Sequence, residues 1–342
     1  MSKAATATLL IVALAACSRT AMAQSAVERP NIELGAAAAT VSYVAPYIAA
    51  AKGYFRDEGV NVTLTNFQSG VKAAQAMMGG SVDAVVGSYA HTITLASKGQ
   101  NIRYFVSFLR CPGYVVGVAK GQAATSVKDF KGLKVGVTSP GSSTHQALNY
   151  LVTRAGLSTD DYTPVAVGNT AGSVAAVEYN KIDATIVVEP IASLLLKSNA
   201  MKMLLDMRSE KASLEGFGGP YPEGGLYARE DFIRQNPKTI QALTNAVVRA
   251  DEWLQTASPE DVVKALPAEA VGSDPDTFGK SVTNMRGCFS PDGRVASDGP
   301  AHVLDILTAS EPELKKASIN LADTYTNAFV EEALKKYPPK TN

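Results

Sequence analysis

Val82-Asp83-Ala84-Val85-Val86 returns further along the chain as Ile182-Asp183-Ala184-Thr185-Ile186-Val187-Val188. In each copy an acidic residue precedes a short run of β-branched and small apolar residues, the composition of a buried strand. What leads up to each copy also corresponds. Before the first, Asn31–Ala36 reads as a strand, 37–42 as a small polar loop, and 43–52 as a helix stopped by Gly53. Then come an alternating strand over 60–66, a loop over 68–70, and a helix over 71–78 ending at Gly79 and Gly80. Before the second, a capping box over 126–129 opens a short helix that Gly132 closes. A strand over 134–137, a Gly/Ser loop over 138–143 and a helix over 144–155 stopped by Gly156 follow, then strand, loop and helix over 163–167, 169–172 and 174–179. A series of strand, small-residue loop, helix and Ile/Val-Asp-Ala strand that occurs twice in order indicates two similar α/β lobes. Each is expected to hold a mostly parallel sheet covered on both faces.

The stretch beyond these halves is more helical. Across Pro237–Thr256, Ile240, Leu243, Val247, Ala250 and Leu254 recur at three- and four-residue steps, one core-facing stripe with Trp253 at its margin. The tail is expected to be helical over 322–337, ended by Pro338 and Pro339. At the other end, Lys3 precedes an apolar run over 4–16 that is too short to span a bilayer, which marks an export signal. Two cuts compete. Ala21-Met22-Ala23 before Gln24 gives a signal of 1–23 and a soluble product, whereas Leu14-Ala15-Ala16-Cys17 gives 1–16 and a lipid-anchored Cys17. Roughly 320 residues remain, more than one core usually organises.

Composition narrows the function classes. Lys plus Arg and Asp plus Glu each total 32, so no global field draws in nucleic acid, and no nucleic-acid partner is expected. Three histidines without close His or Cys spacing argue against a zinc site, and no cofactor is expected. Cys111 and Cys288 are either bridged outside the cytoplasm or two buried thiols.

The run Pro46-Tyr47-Ile48-Ala49-Ala50-Ala51-Lys52-Gly53-Tyr54-Phe55-Arg56-Asp57-Glu58-Gly59-Val60-Asn61-Val62 is joined in order by Ser69-Gly70 and Gly80-Ser81-Val82-Asp83-Ala84. Asp129-Phe130-Lys131-Gly132-Leu133-Lys134-Val135-Gly136-Val137, Pro140-Gly141-Ser142-Ser143 and Ile182-Asp183-Ala184 through Glu189-Pro190 follow. This ordered set resembles the nitrate, sulfonate and taurine binding-protein family, related to the thiamine pyrimidine-precursor binding proteins. The resemblance implies a two-lobed, type II periplasmic-binding-protein clamshell with a ligand cleft between the lobes. Lobe one would take 31–115 and 226–342, lobe two 116–225, with crossing strands near 115–119 and 225–228. It further implies a monomeric periplasmic or extracytoplasmic component of an ABC importer. Such a protein would pass a small polar ligand, either a sulfonate-like anion or a planar nitrogen-containing compound, to an ABC permease. An enzyme on the same fold acting on a thiamine-like pyrimidine is the alternative, with Cys111 as nucleophile and Glu189 as acidic partner, although the cysteine-rich motif of the yeast pyrimidine synthases is absent; a ligand-sensing subunit of a membrane receptor is another.

In open α/β sheets the loops after the strand carboxyl ends face one crevice, and the helix starts there present free N–H groups. That rule selects Ser42, Tyr43, Ser69, Gly70, Ser88, Tyr89 and His91 from lobe one, and Gly141, Ser142, Ser143 and Thr144 from lobe two. Ser142 and Thr144 acting with Ser69 and Tyr89 would hold the polar end of the ligand, while helix capping is the competing role for the hydroxyls and a plain turn for Gly141. His91 either binds the ligand or packs neutral, and Tyr47 belongs to the core. Glu189, ending its strand before Pro190, would bring a carboxylate that favours N–H donors or a cation. Arg110 is the candidate counter-charge, with an ordinary surface arginine as the alternative. Asp83 and Asp183 read as structural caps.

Overall fold

A computed structural model of the protein describes residues 26–37 and 40–339. The export signal, both of its cuts and Cys17 lie outside the described residues, as does part of the loop expected over 37–42. The strands are β1 (Asn31–Ala36), β2 (Asn61–Asn66), β3 (Ala84–Ser88), β4 (Ile102–Leu109), β5 (Val115–Ala119), β6 (Lys134–Val137), β7 (Thr163–Ala166), β8 (Ala184–Val187), β9 (Met201–Asp206) and β10 (Gly224–Arg229). They form two five-stranded sheets, ordered β2-β1-β3-β10-β4 and β7-β6-β8-β5-β9. The two orders correspond strand for strand. In each sheet the fourth strand alone runs antiparallel to its neighbours, and it is the strand that has just crossed over from the other half of the chain. The sheets are therefore mixed, with the parallel strands expected from the sequence as their majority.

The repeated acid has the same task in both copies. Asp83 accepts the Glu33 N–H at 2.9 Å and Asp183 accepts the Lys134 N–H at 2.8 Å, each pinning the start of the neighbouring parallel strand. The crossing strands run so close to their neighbours that side chains are excluded in places. A Cβ on Gly225 would lie 2.0 Å from the Tyr104 ring and 2.3 Å from the Val106 carbonyl oxygen.

Helix Pro237–Thr256 forms as its stripe predicts, with Ile240, Leu243, Val247, Ala250 and Leu254 buried and Trp253 packed at the margin. The tail differs from expectation: regular helix covers only Ala328–Lys336. Its presumed first turn is consumed by sheet pairing, because the Tyr104 N–H donates to Thr324 O at 3.0 Å and the Thr326 N–H to Tyr104 O at 2.8 Å. Strand β9 was not legible from the sequence because it lies at a sheet edge and leaves Met203 and Leu205 exposed. One apolar cluster runs through both halves, joining Tyr104 and Tyr227 of the first sheet to Val135 and Leu148 of the second side, with Val303, Ile306 and Leu307 of helix Gly299–Ser310 between. The two cysteines resolve to a buried disulfide, Cys111–Cys288, with Cα atoms 5.1 Å apart. None of the helices among the described residues is long and apolar enough to cross a membrane.

Candidate ligand site

The carboxyl ends of β1 and β3 in one sheet look across at those of β6 and β8 in the other, where the strand order reverses. Between them lies a small closed cavity. Thr40, Ser42, Tyr43, Gly70 and His91 enclose it from the first sheet, and Thr138, Ser142, Ser143, Thr144 and Asn169 from the second. Tyr114 and Glu223, from the two connections between the halves, close it from behind. The Val41 N–H donates to Glu189 O at 3.2 Å and seals one side, and the remaining volume is ≈ 10 Å³, about one water. A ligand enters only if the halves part.

Glu223 is the centre of this arrangement. It is 2 % exposed, and its Oε1 accepts from the Ser143 hydroxyl at 2.9 Å and the Tyr43 hydroxyl at 3.3 Å, while Oε2 accepts from Ser88 at 2.7 Å. Burial pushes its carboxyl pKa up, and the surrounding hydroxyl donors pull part of the way back. Around it the polar wall is under-satisfied: Thr40 Oγ1, Ser42 Oγ and His91 Nε2 are buried without a hydrogen-bond partner. The other His91 nitrogen, Nδ1, lies 3.2 Å from the Tyr227 hydroxyl, and burial pulls the imidazole pKa down to about 4, so the ring is neutral near pH 7. Gly70 belongs here for steric reasons, since a Cβ would come 2.5 Å from His91 Cε1.

Of the residues selected from sequence, Ser42, Tyr43, Gly70, His91, Ser142, Ser143 and Thr144 meet at the cavity. Ser88 stands behind it, supporting Glu223. Ser142 and Thr144 reach the wall but are engaged in their own loop. Ser142 caps helix Ser143–Arg154 and Thr144 Oγ1 accepts the Thr138 N–H at 3.0 Å. Ser69 is the cap of helix Gly70–Met78, with its Oγ 3.3 Å from the Lys72 nitrogen, and does not reach the cavity wall. Tyr89 is turned away: its hydroxyl pairs with Thr324 and its ring packs edge-on against Tyr104. The four-residue grip of Ser69, Tyr89, Ser142 and Thr144 therefore does not assemble. Gly141 makes a turn at φ 79°, its N–H donating to His145 Nδ1.

Glu189 does not line the cavity. Its carboxylate is fully buried and accepts from Arg208, Ser193, Ser281 and Asn284, so it ties helix Pro275–Met285 to the second sheet's half. The Glu189–Pro190 peptide is cis. Arg110 is no counter-charge in the cleft, since it pairs with Glu210 at 3.2 Å and bonds to Gly287 O. The Cys111 sulfur is committed to the disulfide, and the Cys111–Glu189 catalytic pair is not formed. Glu223, Tyr114, Thr138 and Asn169 were missed. For Glu223 a signal existed: in Pro220-Tyr221-Pro222-Glu223-Gly224-Gly225 a lone acid sits between a proline and two glycines, directly before the crossing strand.

A family model described as NMT1/THI5 like matches residues 41–261, a span that includes most of the cavity wall. A solved protein from Bordetella bronchiseptica RB50 is 38 % identical with a TM-score of 0.88, over 91 % of this chain and 99 % of that one. The alkanesulfonate-binding protein SsuA from Xanthomonas axonopodis pv. citri, solved with MOPS, superposes with a TM-score of 0.72 at 19 % identity, over 88 % of this chain and 100 % of its own. Among curated sequences, the 4-amino-5-hydroxymethyl-2-methylpyrimidine phosphate synthase of Candida albicans is 25 % identical over 223 residues, 62 % of this chain and 63 % of that protein. The architecture is the type II periplasmic-binding-protein fold.

Proposed function

The chain belongs to the NMT1/THI5-like family, and on that premise we propose that it is a solute-binding protein, the extracytoplasmic component of an ABC importer. It captures one small polar molecule between its two lobes and presents the closed form to a membrane permease. The observation that carries this reading is the cavity at the facing strand ends, enclosed by both lobes and the connections between them, with buried hydroxyl and imidazole groups that lack partners. The catalytic reading offered by the sequence needs Cys111 as a free nucleophile, and the disulfide to Cys288 commits that sulfur. The lobes are taken as 31–115 with 226–342, and 116–225, and the export signal delivers the mature protein to the compartment in which its disulfide is stable.

Native mass spectrometry of protein purified without refolding is expected to show one small molecule per chain, released chemically unchanged on denaturation. A chain that carries no adduct and stays unshifted across a broad panel of polar metabolites would contradict solute capture.

A further inference from the structure

We propose that the cleft selects an organic cation, with the protonated amine or amidine of the ligand facing Glu223, and that it rejects carboxylates and sulfonates of the same shape. The proposal rests on the solute-binding reading and narrows it to a ligand class. Glu223 is the sole charged side chain on the cavity wall, which among the described residues carries neither lysine nor arginine. The carboxylate is held by hydroxyls alone, from Tyr43, Ser88 and Ser143. These hydroxyl donors orient it and bring no positive charge, and His91, neutral and desolvated, adds none.

Other buried acids in the chain show how unusual this is. Glu58 is met by Lys336 at 2.8 Å and Glu189 by Arg208 at 2.7 Å, each inside a filled network. Asp251 is buried without a hydrogen-bond partner, yet it lies on helix Pro237–Thr256 and is not part of the wall of this cavity. Among the described residues, Glu223 alone combines a buried carboxyl group that no cation meets with a cavity edged by unpartnered groups, Thr40 Oγ1, Ser42 Oγ and His91 Nε2. A cation placed there supplies the missing charge. Its N–H groups complete the acceptor capacity of the carboxylate, and the two hydroxyls and the imidazole take the ligand's remaining polar atoms. An anion would instead bury a second negative charge against the first. Because Tyr43 and Ser88 reach Glu223 from one lobe and Ser143 from the other, the charged contact forms where closure brings the lobes together.

The test uses matched pairs of opposite charge, benzamidine with benzoate and propylamine with propanesulfonate, measured by thermal shift and calorimetry on the full mature chain and on Glu223→Gln. The cations are expected to bind wild type, and Glu223→Gln to weaken them about 10–100-fold, the scale of one charge-assisted hydrogen bond. Binding of the anions, unchanged or tighter in the variant, would overturn the cation assignment and leave solute capture standing. Equal cation affinity in both proteins overturns the role of Glu223. Should Glu223→Gln fail to fold, the preference of the wild type between paired probes decides the matter by itself. If no probe of either charge binds, the assignment fails, and the mass-spectrometric adduct judges solute capture separately.

Discussion

Glu189→Ala is expected to lower unfolding stability by about 3–5 kcal/mol, the range found when one partner of a buried ion pair is removed. Glu189 is 0 % exposed, so its charge is out of reach of bulk water, while Arg208, with a side-chain exposure of 12 %, keeps a little contact with it. The substitution strands the guanidinium contact at 2.7 Å, the Ser193 N–H and hydroxyl, the Ser281 hydroxyl and the Asn284 amide together. Asp206 still holds Arg208 at 2.6 Å, which keeps the loss toward the lower end. Ser281 and Asn284 lie on helix Pro275–Met285, while Ser193 and Arg208 belong to the second sheet's half, so the network also fastens the closed form. Chemical denaturation should therefore show a lower midpoint, and scattering a more open ligand-free particle. Glu189→Gln, which keeps the shape and most acceptors, should fall between wild type and Glu189→Ala. A stability loss under about 1 kcal/mol in Glu189→Ala would remove the network from the account of closure.

The Cys111→Ala/Cys288→Ala double variant is expected to lose about 5 kcal/mol by the chain-entropy model for a cross-link of this span. The bridge closes a loop with a sequence separation of 177, which contains the whole second sheet. Both cysteines pack in the cluster under the first sheet. The bond thus joins the chain where it leaves that core to the C-terminal segment that returns to it. Differential scanning calorimetry should show Tm lowered by on the order of 10 °C, and reductant should reproduce much of the shift in wild type. A double variant that melts with wild type would mean that the unfolded chain gains little freedom from losing the link.

Most of the architecture was legible because it is written in short-range signals. The Ile/Val-Asp-Ala echo identified β3 and β8, and the shared bond from Asp83 and Asp183 to a neighbouring strand start explains why the acid recurs. The stripe from Ile240 to Leu254 gave the longest helix. The errors came where tertiary contacts decide between local patterns. The segment around Thr324–Thr326 falls within the helix expected of the tail and instead pairs with Tyr104, in keeping with its β-branched and aromatic residues.

The site was half legible. Loops after parallel strands can be found from spacing, which brought out Ser42, Tyr43, Gly70, His91 and Ser143. Spacing does not say which way a side chain turns, so Tyr89 looked equivalent to Tyr43 although its hydroxyl pairs with Thr324 on the far side. It also does not reveal saturation: Glu189 invited a ligand until its partners from helix Pro275–Met285 were seen to fill it. Glu223 belongs to neither repeated half, lying in the return connection, so a search keyed to the repeat passed over it.

Small-angle X-ray scattering of the mature protein, with and without the molecule recovered by native mass spectrometry, tests the central claim most directly. The closed cavity of ≈ 10 Å³ admits no ligand of metabolite size, so the ligand-free chain must populate an open form and the liganded chain a compact one. The account predicts a smaller radius of gyration on saturation, with the ligand-free curve fitted only by including a more open arrangement of the lobes. An unchanged curve at independently confirmed saturation would contradict capture by lobe closure.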